Sequence, residues 1–195
     1  MTTPGSLAAW TPGLDDATTL RAAYEAMPGD DASAIPWYVR LLENPASPLA
    51  LPGAIDLFGH DCVHIVLGRG TLSQDEAFVL GVTMGASGRL RMWQRQLYRL
   101  CARRLYRSVF RFSRVDCLVF DLGVEFAGEA GIARLHQVPW RSLLDRPLGE
   151  IRQSLGIDPG RLATVYASER ALWPASAAAQ RLPTRLPRGV PGRQE

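Results

Sequence analysis

The stretch Leu57-Phe58-Gly59-His60-Asp61-Cys62-Val63-His64-Ile65-Val66-Leu67-Gly68 decides how the chain is read. Its apolar residues fall on most sides of a helix, which marks a helix buried in a core. Pro52 suits a first helical position, and Gly68 and Gly70 supply a stop, so a helix is predicted over 52–67. His60 and His64 are four apart and share one face, with Asp61 beside them. A buried polar trio must be satisfied by hydrogen bonds or by a cation. Two imidazoles and a carboxylate suit a divalent transition metal, zinc first and another transition metal as the alternative.

Outward from this helix, Ser73-Gln74-Asp75-Glu76 opens a second one, predicted over 73–86. Folded back, it would bring Glu76 over His60 and His64 as a further ligand. Ser73-x-x-Glu76 is also a capping box, in which Glu76 would reach the Ser73 backbone instead. Asp56 has two readings as well: a partner for the second nitrogen of His60, or a helix-capping carboxylate. Cys62 lies about 200° around the helix from His60 and belongs to the packing. His136 has no partner in its own stretch and reads as structural.

The remaining periodicities are helical too. Helices are predicted over 15–27 with Asp15 or Asp16 as cap, and over 33–43, 113–126, 139–144, 147–155 and 158–172, with a long helix or helix pair over 90–112. Long strand patterns are absent. The fold class is therefore all-α: a single compact helical domain of about seven to nine helices over 15–173. A flexible N-terminus over 1–14 precedes it, and a Pro- and Arg-rich disordered tail over 174–195 follows.

Composition limits the function. At 195 residues the chain suits one domain with its own core. A net charge of +3 excludes a histone-like or strongly acidic protein. No uncharged run reaches the roughly 20 apolar residues of a spanning helix, and the N-terminus lacks the pattern of a signal or transit peptide. Three widely spaced cysteines read as reduced thiols. The expected location is the bacterial cytoplasm, or the periphery of the inner membrane.

His60-Asp61-x-x-His64, eleven residues and then Glu76 resembles the hallmark of the ubiquinone (coenzyme Q) biosynthesis family numbered four. Ile65-Val66-Leu67-Gly68, Thr71, the run from Trp140 through Arg152 and Leu155-Gly156-Ile157 extend the likeness over about residues 50–160. The Pro-rich 47–55 replaces a longer charged helix of that family, which marks a divergent bacterial branch. The resemblance implies an all-helical fold and a divalent metal held by His60, Asp61, His64 and Glu76. It also implies work on a prenylated aromatic precursor, with oxidative ring decarboxylation as the reaction, a peripheral membrane habit, and other biosynthetic enzymes as partners. The alternatives are a non-catalytic lipid-binding or scaffold protein with a structural metal, and a metallohydrolase with Asp61 as base. A zincin protease would carry Glu at the place of Asp61. No separate general base is named by the sequence, and a homodimer stays open.

All 22 basic residues are Arg, and nine of them fall between Arg89 and Arg114 without a single acid. Arg91, Arg95, Arg99, Arg103 and Arg107 recur every four residues, with Trp93, Tyr98 and Tyr106 interleaved. Three readings compete: a solvated face, a contact for anionic lipid headgroups or prenyl phosphate, and nucleic acid. The mild total charge and the absence of a recognition motif put nucleic acid last.

Overall fold

A computed structural model describes residues 10–28, 47, 50–104 and 111–184. Among these residues there are eight α-helices and no strand. They are α1 (Leu20–Glu25), α2 (Leu57–Leu67), α3 (Ser73–Gly85), α4 (Met92–Arg104), α5 (Arg114–Ala130), α6 (Leu148–Leu155), α7 (Pro159–Leu172) and α8 (Ala177–Arg181). Two 3-10 turns, Leu135–Gln137 and Trp140–Leu143, join α5 to α6. The chain is all-α, as its periodicities predict. The helix expected over 33–43 lies outside the described residues.

The centre of the fold is α3 packed on α5. Both helices are apolar through their middles, and Phe78, Val79, Val82, Val119 and Phe120 are fully buried. Glycines let the two backbones touch. A Cβ on Gly81 would sit 2.2 Å from the Phe120 carbonyl oxygen, and one on Gly123 would sit 2.5 Å from that of Phe78. Around this pair lie α2, apolar on most sides, and Tyr98 of α4, Ile151 of α6 and Leu162 and Tyr166 of α7, all fully buried.

Caps set the helix boundaries, and several differ from those read in the sequence. The second helix starts at Leu57 rather than Pro52, because Asp56 accepts the Gly59 N–H at 2.7 Å and so caps it. The preceding turn passes through Gly53 at φ 90°, against the backbone of Thr83. Thr19, not Asp15 or Asp16, caps α1. Asp15 instead accepts from Thr18 Oγ1 at 2.5 Å and Ala17 N at 3.2 Å. The segment expected as one helix over 139–144 is a 3-10 turn. By contrast, α6 ends at Gly156, and α7 opens with Asp158 as cap and Pro159 in its first turn, as expected.

Both ends of the domain extend further than composition suggests. Within the N-terminal 1–14, read as flexible, Leu14 is buried and Thr11 Oγ1 donates to the Gly68 carbonyl at 3.2 Å. Arg152, itself fully buried, holds this stretch by donating to the carbonyls of Val66 and Asp15 at 2.9 Å and to Asp16 at 2.7 Å. At the other end, composition predicts a disordered tail over 174–195, whereas residues 174–184 carry α8. Ala178, Ala179 and Leu182 are buried there, and Ser176 Oγ donates to Gln74 Oε1 at 2.5 Å. Small alanines can bury where a composition rule sees only a shortage of large apolar residues. No helix of the described residues is long and apolar enough to cross a membrane.

Candidate metal centre

The helix α2 presents His60 and His64 one turn apart, with ring centroids 4.7 Å apart. The loop 68–72 reverses the chain and brings the first turn of α3 over them. Glu76 Oε2 lies 3.5 Å from His60 Nε2, and Oε1 lies 3.3 Å from His64 Nε2. The three residues each offer one ligand atom, all within 4.8 Å of one another, and so form a group that could hold a metal ion. Both Nε2 atoms are buried without a hydrogen-bond partner. Two ring nitrogens converging on one carboxylate, with no other partner, form a group that a cation would complete.

The local sequence explains why Glu76 is available. The capping role that Ser73-x-x-Glu76 offers is taken one residue earlier. The helix cap is Leu72, and its N–H donates to Asp75 Oδ2 at 3.1 Å. Asp75 therefore serves the backbone and Glu76, the next residue, faces the histidines.

Electrostatics prepare the group unevenly. Burial drives the His60 pKa down to about 4, with Glu76 opposing it, so that imidazole is neutral near pH 7 and its lone pair is free. At His64 burial pulls the same way but is outweighed by the Glu76 carboxylate, and the pKa stands above the usual histidine value. Burial would raise Glu76, yet His64 and then His60 hold it at about 2. The carboxylate is thus ionised. His64 is sealed at 1% side-chain exposure, while Glu76 keeps 29% and His60 18%. Both Nε2 atoms are buried, and what exposure the group has belongs to the His60 and Glu76 side chains.

The other expected site residues sit elsewhere. Asp61 is outside the three-residue group, because one step along the helix turns it by about 100° from His60. Its charge bears instead on Tyr24 and Cys62. Burial first, and Asp61 next, raise the Tyr24 hydroxyl and push the Cys62 thiol up to about 12. Cys62 is fully buried and un-ionised, as a packing residue should be. Asp56 is occupied in capping α2. The second nitrogen of a ligand is held by a group that no pattern announced: the Gly70 carbonyl accepts from His64 Nδ1 at 2.7 Å. With Nδ1 holding its proton there, Nε2 is the nitrogen left to bind a metal, once it gives up the proton that Glu76 favours on it.

Behind the loop lies a buried ionic cluster that the sequence reading missed. The guanidinium of Arg69 is fully buried and donates to both oxygens of Glu169, at 3.0 and 2.5 Å. It lies over the rings of Phe78 and Tyr166, at 3.9 and 4.4 Å from their centroids. Gln74 Nε2 also donates to Glu169 at 2.6 Å, and Asp75 is 3.7 Å from Arg69. Tyr166 O–H donates to the Leu67 carbonyl at 2.5 Å. The cluster ties α7 to both edges of the loop that sets the His–Glu geometry. The one local signal was a lone Arg between Gly68 and Gly70. Nothing adjacent in sequence points to Glu169, a hundred residues further on.

Of the basic stripe, Arg95 pairs with Asp121 and Glu125 of α5 at 2.7 and 2.6 Å, and Arg99 with Asp121 at 2.9 Å. These two join α4 to α5. Arg91 and Arg103 are exposed, and Arg107 lies outside the described residues. His136 is half-buried and stands apart from the centre.

Compared with protein-family models, curated proteins and solved structures, the chain matches none.

Proposed function

We propose that this chain is a divalent-metal protein of the prenylquinone-biosynthesis type, holding its ion on His60, His64 and Glu76 and handling a prenylated aromatic lipid precursor. The observation that carries the metal is the pair of buried, unpartnered Nε2 atoms converging on one carboxylate. Two histidines and a glutamate leave positions open, the donor pattern of catalytic zinc and of non-haem iron sites. The ion would act as a Lewis acid toward an oxygen of the substrate. His60 and Glu76 carry what exposure the group has, and a substrate group would approach there. Asp61 flanks the group and completes the motif on which the family resemblance rests. That resemblance supports the prenylated substrate, and oxidative ring decarboxylation is the reaction it favours.

The test is metal analysis and titration of the full chain, with lipid extraction of the same preparation. One divalent ion per chain is expected, with His64→Ala and Glu76→Gln losing it while helix content is retained. A co-purifying prenylated aromatic is expected in the extract. A folded protein that takes up no zinc or iron, or variants that bind as well as the parent, would overturn the metal centre. An extract free of prenylated compounds, together with no uptake of added prenylated benzoate, would overturn the substrate. Global unfolding on chelation would assign the ion to structure rather than turnover.

A further inference from the structure

Among the described residues, the face of α4 turned away from the core gathers four exposed large apolar side chains. Met92, Trp93, Leu97 and Leu100 are 65, 58, 39 and 52% exposed. At helical spacing these four, with Gln96, Arg103 and Arg104, fall within an arc of about 140°. The opposite side holds buried Tyr98 and Ala102, with Arg95 and Arg99 paired to α5. One side of the helix is thus held by Tyr98, Cys101 and Ala102 and by the two Arg pairs, and the other bears four large apolar side chains in water.

The charge around those side chains has one sign. No acid occurs between Arg89 and Arg114. Arg91, Arg103 and Arg104 are exposed and form no ion pair among the described residues. Arg111 reaches back to donate to the Arg103 carbonyl at 2.9 Å, adding another guanidinium to that end. A shallow groove of about 200 Å³ there is lined by Gln96, Arg99, Leu100, Arg103 and Arg104.

We infer that α4 docks in the plane of an anionic lipid bilayer, with Met92, Trp93, Leu97 and Leu100 entering the interface and Arg91, Arg103 and Arg104 on phospholipid headgroups. Apolar side chains with Trp among them, set between Arg whose stems lie along the surface and whose heads reach phosphate, are the composition of an interfacial helix. The other occupants fit less well. A second copy meeting this face symmetrically would bring guanidinium against guanidinium. A nucleic acid backbone would bury Met92, Leu97 and Leu100 against phosphate with no gain. The docking surface is independent of the metal centre, although both meet the start of α5: Phe112 N donates to the Ala102 carbonyl at 3.1 Å, and Ser73 Oγ to Asp116 at 3.5 Å.

The experiment is vesicle co-sedimentation of the full chain with phosphatidylcholine alone and with about 30 mol % phosphatidylglycerol, a composition that supplies the negative surface potential. Binding is expected only to the anionic vesicles, and it should fall steeply in about 0.5 M salt. Arg103→Gln with Arg104→Gln should weaken it roughly 30-fold. Trp93→Ser with Leu100→Ser should abolish it without loss of helix content, since both side chains are exposed. Binding should be unchanged by EDTA, which separates this inference from the fate of the metal proposal. Absent or charge-indifferent vesicle binding would overturn it. So would a concentration-dependent dimer dissolved by the Trp93 and Leu100 substitutions, or tighter binding to a DNA oligonucleotide than to anionic vesicles.

Discussion

His64 donates through Nδ1 to the carbonyl oxygen of Gly70 across 2.7 Å, so the loop that ends the ligand helix also orients one of its ligands. Gly70 has no room to be anything else. A Cβ there would lie 2.7 Å from the Trp10 carbonyl oxygen and 3.0 Å from Asp75 Oδ2. Gly70→Ala should therefore displace the loop and loosen the imidazole. Partners of this kind are worth about 10–100-fold in metal affinity. Calorimetric titration with zinc should show a loss in that range with near-native helix content, and an unchanged affinity would refute the link.

Asp75 and Glu76 are adjacent acids with separate duties, and substitution should separate them. Asp75 is buried, accepts the Leu72 N–H and faces Arg69 and Arg181 at 3.7 and 3.4 Å. Asp75→Ala should cost about 1–2 kcal/mol for the lost cap alone, and more for the cations left facing it. Glu76→Gln keeps the shape and should reduce metal binding by more than an outer partner does, while altering the metal-free protein less than Asp75→Ala. Urea unfolding of both apo-variants, beside zinc titration of both, checks the division. Equal losses in the two measurements would count against it.

The Arg69–Glu169 pair makes a prediction about double substitution. Removing one partner strands a buried charge, at about 3–5 kcal/mol. Glu169→Gln should fall in that range by chemical denaturation. Replacing both, as Arg69→Met with Glu169→Leu, should recover part of the loss: the apolar pair needs no desolvated charges, but of its two arginines Asp75 keeps only Arg181, and Gln74 Nε2 loses Glu169. The double variant should also bind metal more weakly than the parent if the cluster steadies the loop. A double variant as unstable as the single one would show that the pair is not the unit.

What could be read in advance follows from range. The periods of α2, α3, α6 and α7, and the caps at Asp158 and Gly156, are local and were legible, as was the His60–His64 face. The convergence of Glu76 was legible only as one of two options. Choosing between them needed to know that Asp75, rather than Glu76, serves the backbone of Leu72. Arg69 and Arg152 show the opposite limit. Arginine at the sequence level means surface, and only long-range partners, Glu169 for one and the carbonyls of Asp15 and Val66 for the other, make burial tolerable. Asp61 falls outside the three-residue group through a rotation of one helical step, since the two histidines define the stripe and their neighbour leaves it.

The contact between α3 and α5 yields a contrast between glycines. At Gly81 a methyl would meet the Phe120 carbonyl oxygen at 2.2 Å, and backbone oxygen in a packed helix pair does not move cheaply. Gly81→Ala should therefore destabilise by about 1–3 kcal/mol, the usual cost of overpacking. Gly128 lies on the same helix pair, in the exposed part of α5, and a Cβ there meets nothing within 4 Å. There the helical preference of alanine acts alone, and Gly128→Ala should stabilise by about 0.4–1 kcal/mol. Thermal unfolding followed at 222 nm reads both. Opposite shifts are expected, and a tolerated Gly81→Ala would mean that the two helices part more readily than their packing indicates.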